Sequence, residues 1–134
     1  MKLFLDTNII VDFLTERGAF YDPASQVINL AVCGEVQLCC SALSFATVFY
    51  LVRPEKGKET TLKMLREFAD ICEVSSVDSG IVDAALYSSF KDFEDAIQYF
   101  CAQNAGADII ITRNIKDFKD STIPVKMPAD LFES

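Results

Sequence analysis

Hydrophobic residues along this chain follow two kinds of pattern. Leu3–Leu5 and Ile109–Ile111 are short runs that contain no polar residue, and Asp6 follows the first of them directly. Uninterrupted apolar runs of this length are typical of parallel strands that are buried on both faces. Elsewhere, as in residues 58–68, apolar side chains recur at the spacing of one helical face. The alternation of these patterns predicts an α/β fold with a central, mainly parallel sheet of four to five strands.

The same patterns predict the order of the elements. Strands are predicted at residues 3–5, 36–40, 72–77, 108–112 and 124–127. Helices are predicted at residues 9–14, 22–32, 41 or 44 to 52, 58–68, 78–86, from 92 onward, and at 128–132. Asp22-Pro23 is typical of a helix start, and Pro54 is expected to end the third helix. Residues 17–22 and 53–58 are therefore predicted to be loops, and the chain from residue 120 to be loosely structured.

Length and composition limit the class of protein. With 134 residues, the chain is expected to form a single domain, residues 1–134. It contains no apolar run near the roughly 20 residues of a membrane-spanning helix, and Asp6 interrupts the apolar stretch that a signal peptide would need. We therefore expect a cytoplasmic protein without a membrane contact. The five cysteines are odd in number and lie in apolar segments, as reduced core thiols would.

Charge and the absence of histidine restrict the possible chemistry. A formal net charge of −8 opposes broad contact with a nucleic-acid backbone, although acids that hold divalent cations would attract phosphate locally. The sequence contains no histidine, which excludes His-based catalytic triads, His general bases and most zinc sites. Any catalysis must therefore use carboxylate, hydroxyl, amide, lysine or arginine groups.

Polar residues follow both of the clearest predicted strands. Asp6 ends the first strand, and residues 112–114 follow the strand at 108–112. Parallel strands would bring these residues to the same edge of the sheet. Asp92 and Asp95 open a helix, where Asp92 can cap the N-terminus, and a strand-end aspartate can likewise be a plain helix cap. If the carboxylates meet, they form a hard-oxygen site for Mg²⁺ or Mn²⁺, and metal-activated water becomes the nucleophile for hydrolysis.

Three motifs resemble the PIN-domain family in order and spacing over essentially the whole chain. They are the strand followed by Asp6-Thr7-Asn8, the helix start Asp92-Phe93-Glu94-Asp95-Ala96, and the segment Asp108–Asn114 followed by Asp117-Phe118. The resemblance implies a three-layer α/β/α sandwich and a metal-dependent nuclease, usually acting on RNA. Many small bacterial members are toxins of toxin–antitoxin operons and dimers are common, so an antitoxin partner and a homodimer are expected.

The resemblance also implies roles for individual residues. Asp6 matches the first metal-binding acid of the family and Asp95 the third, while Asp117 lies one turn beyond Asn114, which occupies the usual position of the fourth. Asp6, Asp95 and Asp117 are thus the expected metal ligands and, with Asn114, the expected catalytic residues. The expected substrate-binding residues are Thr7, Asn8, Thr47, Thr112 and Arg113. Further basic residues that could flank the site are Arg17, Lys91, Lys116 and Lys119.

Two neutral residues stand where the family has acids, which leaves alternatives open. Thr47 occupies the position of the second acid and Asn114 that of the fourth, so the charge needed to hold two divalent ions is reduced, and a single ion or an ion brought with the substrate is expected. A ribonuclease is the leading hypothesis, and a PIN-like module that binds RNA or a protein without catalysis is the alternative. A phosphatase or nucleotide-binding protein is disfavoured, because the sequence has no P-loop and no second aspartate two residues after Asp6.

Overall fold

A parallel sheet forms the centre of the computed structural model, which describes residues 1–132. Its strands are β1 (Lys2–Leu5), β2 (Gln37–Ser41), β3 (Glu73–Ser75), β4 (Ile109–Ile111) and β5 (Val125–Lys126). They lie in the order β3-β2-β1-β4-β5, and each neighbouring pair is parallel. The predicted parallel sheet of four to five strands is confirmed.

Helices connect the strands and cover the sheet. The α-helices are α1 (Thr7–Leu14), α2 (Gly18–Val32), α3 (Ala42–Lys56), α4 (Lys58–Ala69), α5 (Ser79–Leu86) and α6 (Phe93–Asn104). Two 3₁₀ helices span Ile115–Phe118 and Pro128–Phe132. Among the described residues, no helix combines the length and the apolar character that crossing a lipid bilayer requires.

Alternate residues of the central strands point to opposite faces of the sheet, as the pleat of a strand requires. Leu3 is fully buried in the core on the side of α1, α2, α3 and α4. Its neighbour Phe4 is fully buried in the core on the side of α5 and α6. The uninterrupted apolar run of β1 is therefore explained by burial on both faces, and the three-layer α/β/α arrangement is confirmed.

Two helices run through prolines that were expected to lie at helix ends. α2 begins at Gly18 and contains Pro23, while α3 contains Pro54. A proline has no backbone N–H, so the carbonyl four residues earlier loses its donor. Those carbonyls belong to Ala19 and Tyr50, which are both exposed, and water can replace the missing donors. The predictions of largely irregular structure at residues 17–22 and 53–58 are wrong for this reason.

The strand order reverses between β1 and β4. The chain proceeds from β1 through β2 to β3 on one side of the sheet, and from β4 to β5 on the other. The carboxyl ends of β1 and β4 therefore border a crevice of the kind in which open α/β sheets bind their ligands.

Candidate active site

Asp6 lies at the carboxyl end of β1, where it is also the N-cap of α1. The residue is only 6% exposed. Its Oδ1 accepts a hydrogen bond from the Thr7 backbone N–H at 2.8 Å, and its Oδ2 accepts one from Thr112 Oγ1 at 2.7 Å. Because Thr112 follows β4, these bonds confirm that the polar residues after the two central strands meet at one edge of the sheet.

A buried network centred on Gln98 of α6 supports Asp6. The Gln98 Nε2 lies 2.8 Å from Ser44 Oγ, 3.2 Å from Thr7 Oγ1 and 3.4 Å from Asp6 Oδ1. The Gln98 Oε1 accepts a hydrogen bond from Ser41 Oγ. The network joins the ends of β1 and β2 to α6. Sequence reasoning missed Gln98, although its spacing of three residues from Asp95 places both on one side of the helix.

Most of the predicted site residues line one cavity of about 490 Å³. They are Asp6, Thr7, Asn8, Thr47, Asp95 and Asn114. Asp117 lies in an adjoining cavity of about 390 Å³, which shares Asp92 and Asp95 with the first. The structure therefore brings four segments distant in sequence to the same place, with Asp117 to one side. We call the larger cavity the acid cavity.

The acidic residues at the start of α6 differ in their roles. Asp92 Oδ1 accepts a hydrogen bond from the Asp95 backbone N–H at 3.0 Å, which confirms the predicted helix cap. Asp95 and Glu94 both line the acid cavity. Sequence reasoning did not select Glu94, because an exposed glutamate in the first turn of a helix is ordinarily explained by the helix dipole alone.

Burial and nearby negative charges raise the pKa values of three carboxylates in the acid cavity. Burial raises the pKa of Asp6, although hydrogen bonds from Thr112 and Thr7 oppose the rise. The pKa of Asp95 rises to about 7 from its ordinary 3.8, first because of burial and then because of the negative charge of Asp6. Burial and the charge of Asp6 also raise the pKa of Glu94. A bound cation would relieve this repulsion, since an opposite charge favours the ionised form of each acid.

Arg113 has partners outside the acid cavity. Its Nε donates to Asp12 Oδ2 at 2.6 Å, its Nη2 lies 3.3 Å from Asp12 Oδ1, and its guanidinium lies 4.1 Å from the centre of the Phe20 ring. Asp12 is fully buried. The arginine thereby ties the turn after β4 to α1 and α2. Its expected contact with a substrate stays a prediction.

Comparison with known proteins assigns this fold and site to a family. Residues 2–116 match the sequence profile of the PIN domain. The chain belongs to the PIN domain family. Its match with a curated protein of this kind, Ribonuclease VapC1 of Aquifex aeolicus (strain VF5), is 30% identical over 129 residues, which are 92% of this chain and 88% of that protein.

Solved structures share the fold of this PIN domain. A toxin–antitoxin complex from Klebsiella pneumoniae contains a chain that is 25% identical, with a TM-score of 0.70 and coverage of 94% of this chain and 97% of that one. VapBC2 from Rickettsia felis, solved with a DNA fragment from its promoter, contains a chain that is 21% identical, with a TM-score of 0.71 and coverage of 93% and 97%. The second likeness concerns the fold alone.

The donor atoms of this PIN domain fit a partly hydrated Mg²⁺ or Mn²⁺ ion. Asp6, Glu94 and Asp95 present carboxylate oxygens to the acid cavity, and these are the ligands such hard cations prefer. In residues 1–132, however, no group of three or more His, Cys, Asp or Glu side chains is arranged so that it could hold a metal ion. Mg²⁺ usually keeps several waters and binds through one or two carboxylates, so Asp6 and Asp95 could be its direct ligands.

Proposed function

We propose that this PIN domain is an endoribonuclease that hydrolyses RNA phosphodiesters with the help of Mg²⁺ or Mn²⁺. The observation that carries the proposal is the meeting of Asp6 and Asp95 at one open cavity, where burial raises the pKa of both and the charge of Asp6 raises that of Asp95 further. Similarity to a protein named as a ribonuclease supports RNA as the substrate class.

The residues of the chain divide the work between binding the ion and holding the substrate. Asp6 and Asp95 would hold the ion, with Glu94 and Asp117 near enough to contribute through water. A bound divalent cation lowers the pKa of a water and offsets charge on the phosphate. Thr112 and Gln98 fix the orientation of the Asp6 carboxylate through their hydrogen bonds.

Neutral polar side chains supply contacts for the sugar and phosphate groups. Asn8, Thr47 and Asn114 line the acid cavity beside the carboxylates. Their amide and hydroxyl groups can donate to phosphate oxygens without adding to the repulsion between negative charges. We assign them to substrate binding.

Cleavage of single-stranded RNA in Mg²⁺ or Mn²⁺ tests the proposal. We expect Asp6→Asn and Asp95→Asn to reduce cleavage to background, because each removes a charge that holds the ion. Asp83→Asn is the matched control, since Asp83 is exposed on α5 and outside the acid cavity. Equal activity in the wild type and both site variants would overturn the assignment.

A second candidate function is a binding module without catalysis. The observation that favours it is the neutral Thr47 in the acid cavity, together with the absence, over the described part of the chain, of three metal-binding side chains in one group. Calorimetric titration with Mn²⁺ separates the two functions. Binding to the wild type that weakens in Glu94→Gln supports the nuclease, whereas binding that appears only in Thr47→Glu supports the module.

The proposal includes a protein partner. The similarity to a chain solved within a toxin–antitoxin complex supports an antitoxin that binds this protein. We also propose that this protein acts in the cytoplasm as a homodimer. Co-expression with the product of a short upstream reading frame should relieve growth inhibition and yield a co-purifying complex. Light scattering should give twice the chain mass of 14.9 kDa for the protein alone.

A further inference from the structure

Three lysines line the cavity that adjoins the acid cavity. Lys91 lies just before α6, whereas Lys116 and Lys119 lie in and just after the 3₁₀ helix Ile115–Phe118. Two segments distant in sequence therefore place positive charge in one space of about 390 Å³. We call it the lysine cavity. Because it shares Asp92 and Asp95 with the acid cavity, the lysine cavity lies directly beside the proposed ion site.

The ammonium groups of these lysines are available to a ligand. All three residues are exposed, and the salt bridges formed within residues 1–132 are Lys2 with Glu73 and Arg113 with Asp12. Of the 12 basic residues in a chain with a net charge of −8, three are thus gathered in the lysine cavity without a carboxylate in contact.

The four aspartates that also line the lysine cavity outnumber its three lysines, so its balance of charge becomes positive only when an ion is bound. Asp92 is engaged in capping α6, and Asp120 accepts a hydrogen bond from Ser89 Oγ at 3.2 Å. A divalent cation held by Asp95 would add two positive charges at the shared wall. The balance of the lysine cavity would then be positive, and its field would attract phosphate.

We propose that the lysine cavity binds the phosphate backbone of the RNA strand on one side of the scissile bond. The inference rests on the ribonuclease function proposed above. An RNA strand carries a negative charge at each linkage, and a chain with a net charge of −8 repels it except where positive groups are gathered. A strand whose scissile phosphate lies in the acid cavity must leave it over a neighbouring surface, and the lysine cavity supplies one with compensating charge.

Salt dependence of RNA binding tests this assignment. The protein variant changes Lys91, Lys116 and Lys119 to glutamine, and the matched control changes Lys58, Lys63 and Arg66 to glutamine, three exposed residues of α4 outside both cavities. Binding of a labelled single-stranded RNA of about 12 nucleotides is measured by fluorescence anisotropy in Ca²⁺, a length within the range of single-strand binding sites. Gel analysis of each sample checks that the RNA stays intact.

The expected result is a smaller slope of log affinity against log salt. Each phosphate contact on a single strand contributes about −0.7 to the slope, so loss of three contacts should reduce its magnitude by about 2. The control variant should keep the wild-type slope. In Mn²⁺, the lysine substitutions should also raise KM more for the longer RNA than for a dinucleotide, whose single phosphate cannot occupy both cavities at once.

Two results would overturn the proposal, and they are distinguishable. A lysine variant that matches the α4 control in slope and KM, while the wild type cleaves RNA, removes the lysine cavity from the substrate path and leaves the ribonuclease function intact. A wild-type protein that neither binds nor cleaves RNA removes both.

Discussion

At the scale of single residues, Gln98 shows how one buried amide determines the geometry of the site. It is 1% exposed and lies within hydrogen-bond distance of Ser41, Ser44, Thr7 and Asp6. A buried hydroxyl that loses its partner bears a desolvation cost, because no water replaces the lost bond. The amide therefore stabilises the fold and also holds the Asp6 carboxylate in one orientation.

Gln98→Ala should reduce the free energy of unfolding by about 2–3 kcal/mol, because it removes the buried hydrogen bonds that Gln98 forms with Ser41, Ser44 and Thr7. Urea denaturation measures the loss. Gln103→Ala on the same helix is the control, and we expect a change within about 0.5 kcal/mol because Gln103 is exposed. A Gln98 variant as stable as the Gln103 variant would contradict the role assigned to the network.

Glu16 stores backbone strain in the turn between α1 and α2. Its φ is 51°, a left-handed conformation that costs a residue with a side chain about 1–2 kcal/mol. Glu16→Gly removes this strain, and we expect it to raise the free energy of unfolding by up to about 1 kcal/mol. The entropy that glycine adds to the unfolded chain offsets part of the gain. The comparison is Glu35→Gly, whose backbone is not left-handed and which should lose stability. Thermal unfolding of both variants measures these changes. A Glu16→Gly variant that loses as much stability as Glu35→Gly would contradict the assigned strain.

At the scale of elements, the Asp12–Arg113 pair joins α1 to the turn after β4, and Phe20 adds α2 to the contact. The Asp12 side chain is 1% exposed and that of Arg113 is 23% exposed. Removal of the arginine would leave a buried carboxylate without a counter-ion, whereas removal of the aspartate leaves an arginine that still reaches water. The two single variants should therefore lower the free energy of unfolding by different amounts.

A double-mutant cycle on this pair tests the argument. Arg113→Ala should cost about 3–5 kcal/mol, Asp12→Ala should cost less, and the double variant should cost less than the sum of the two. Urea denaturation supplies all the values. Additive costs would mean that the pair does not hold these elements together.

The start of α6 shows how one helix end serves both fold and site. Because Asp92 caps the helix, the first turn is fixed, and Asp95 and Glu94 face the acid cavity while Gln98 reaches the buried network. Helix periodicity thus converts the local spacing Asp92-x-x-Asp95-x-x-Gln98 into a layered site. The residues of α6 that serve the site therefore lie close together in the sequence.

At the scale of the whole molecule, the crowded acids make stability depend on pH. The pKa of Asp95 is about 7 in the folded protein against an ordinary 3.8 for the unfolded chain. The folded state therefore binds a proton that the unfolded state has released, and metal-free stability should fall as the pH rises from about 4 to about 7. Asp6 and Glu94, whose pKa values are also raised, act in the same direction.

Asp95→Asn should show a shallower fall of stability over this range, because it removes one of the titrating groups. Urea denaturation in EDTA at several pH values between about 5 and 8 measures the slopes. For the wild type, Mn²⁺ at 100 times its dissociation constant should add about 2.7 kcal/mol, and more Mn²⁺ should be needed at low pH, where protons compete for Asp95. A slope that is unchanged in Asp95→Asn would mean that this carboxyl does not titrate as described.

The sequence by itself determined the elements that arise from local patterns. The uninterrupted runs at Leu3–Leu5 and Ile109–Ile111 predicted buried parallel strands, and Asp92 predicted the start of α6, because strand burial and helix capping depend on neighbouring residues. The position of Asp6 beside Thr112 also followed, since parallel strands end at the same edge of the sheet.

Only the tertiary structure decided which side chains meet across the molecule. Arg113 pairs with Asp12, 101 residues away, and Gln98 reaches Ser44, 54 residues away. Such contacts depend on how helices pack on the sheet, which local spacing does not encode. The continuation of α3 through Pro54 also depends on tertiary structure, because only the folded molecule determines that the freed carbonyl of Tyr50 is exposed to water. Local patterns thus determined where the acids lie, and packing determined what surrounds them.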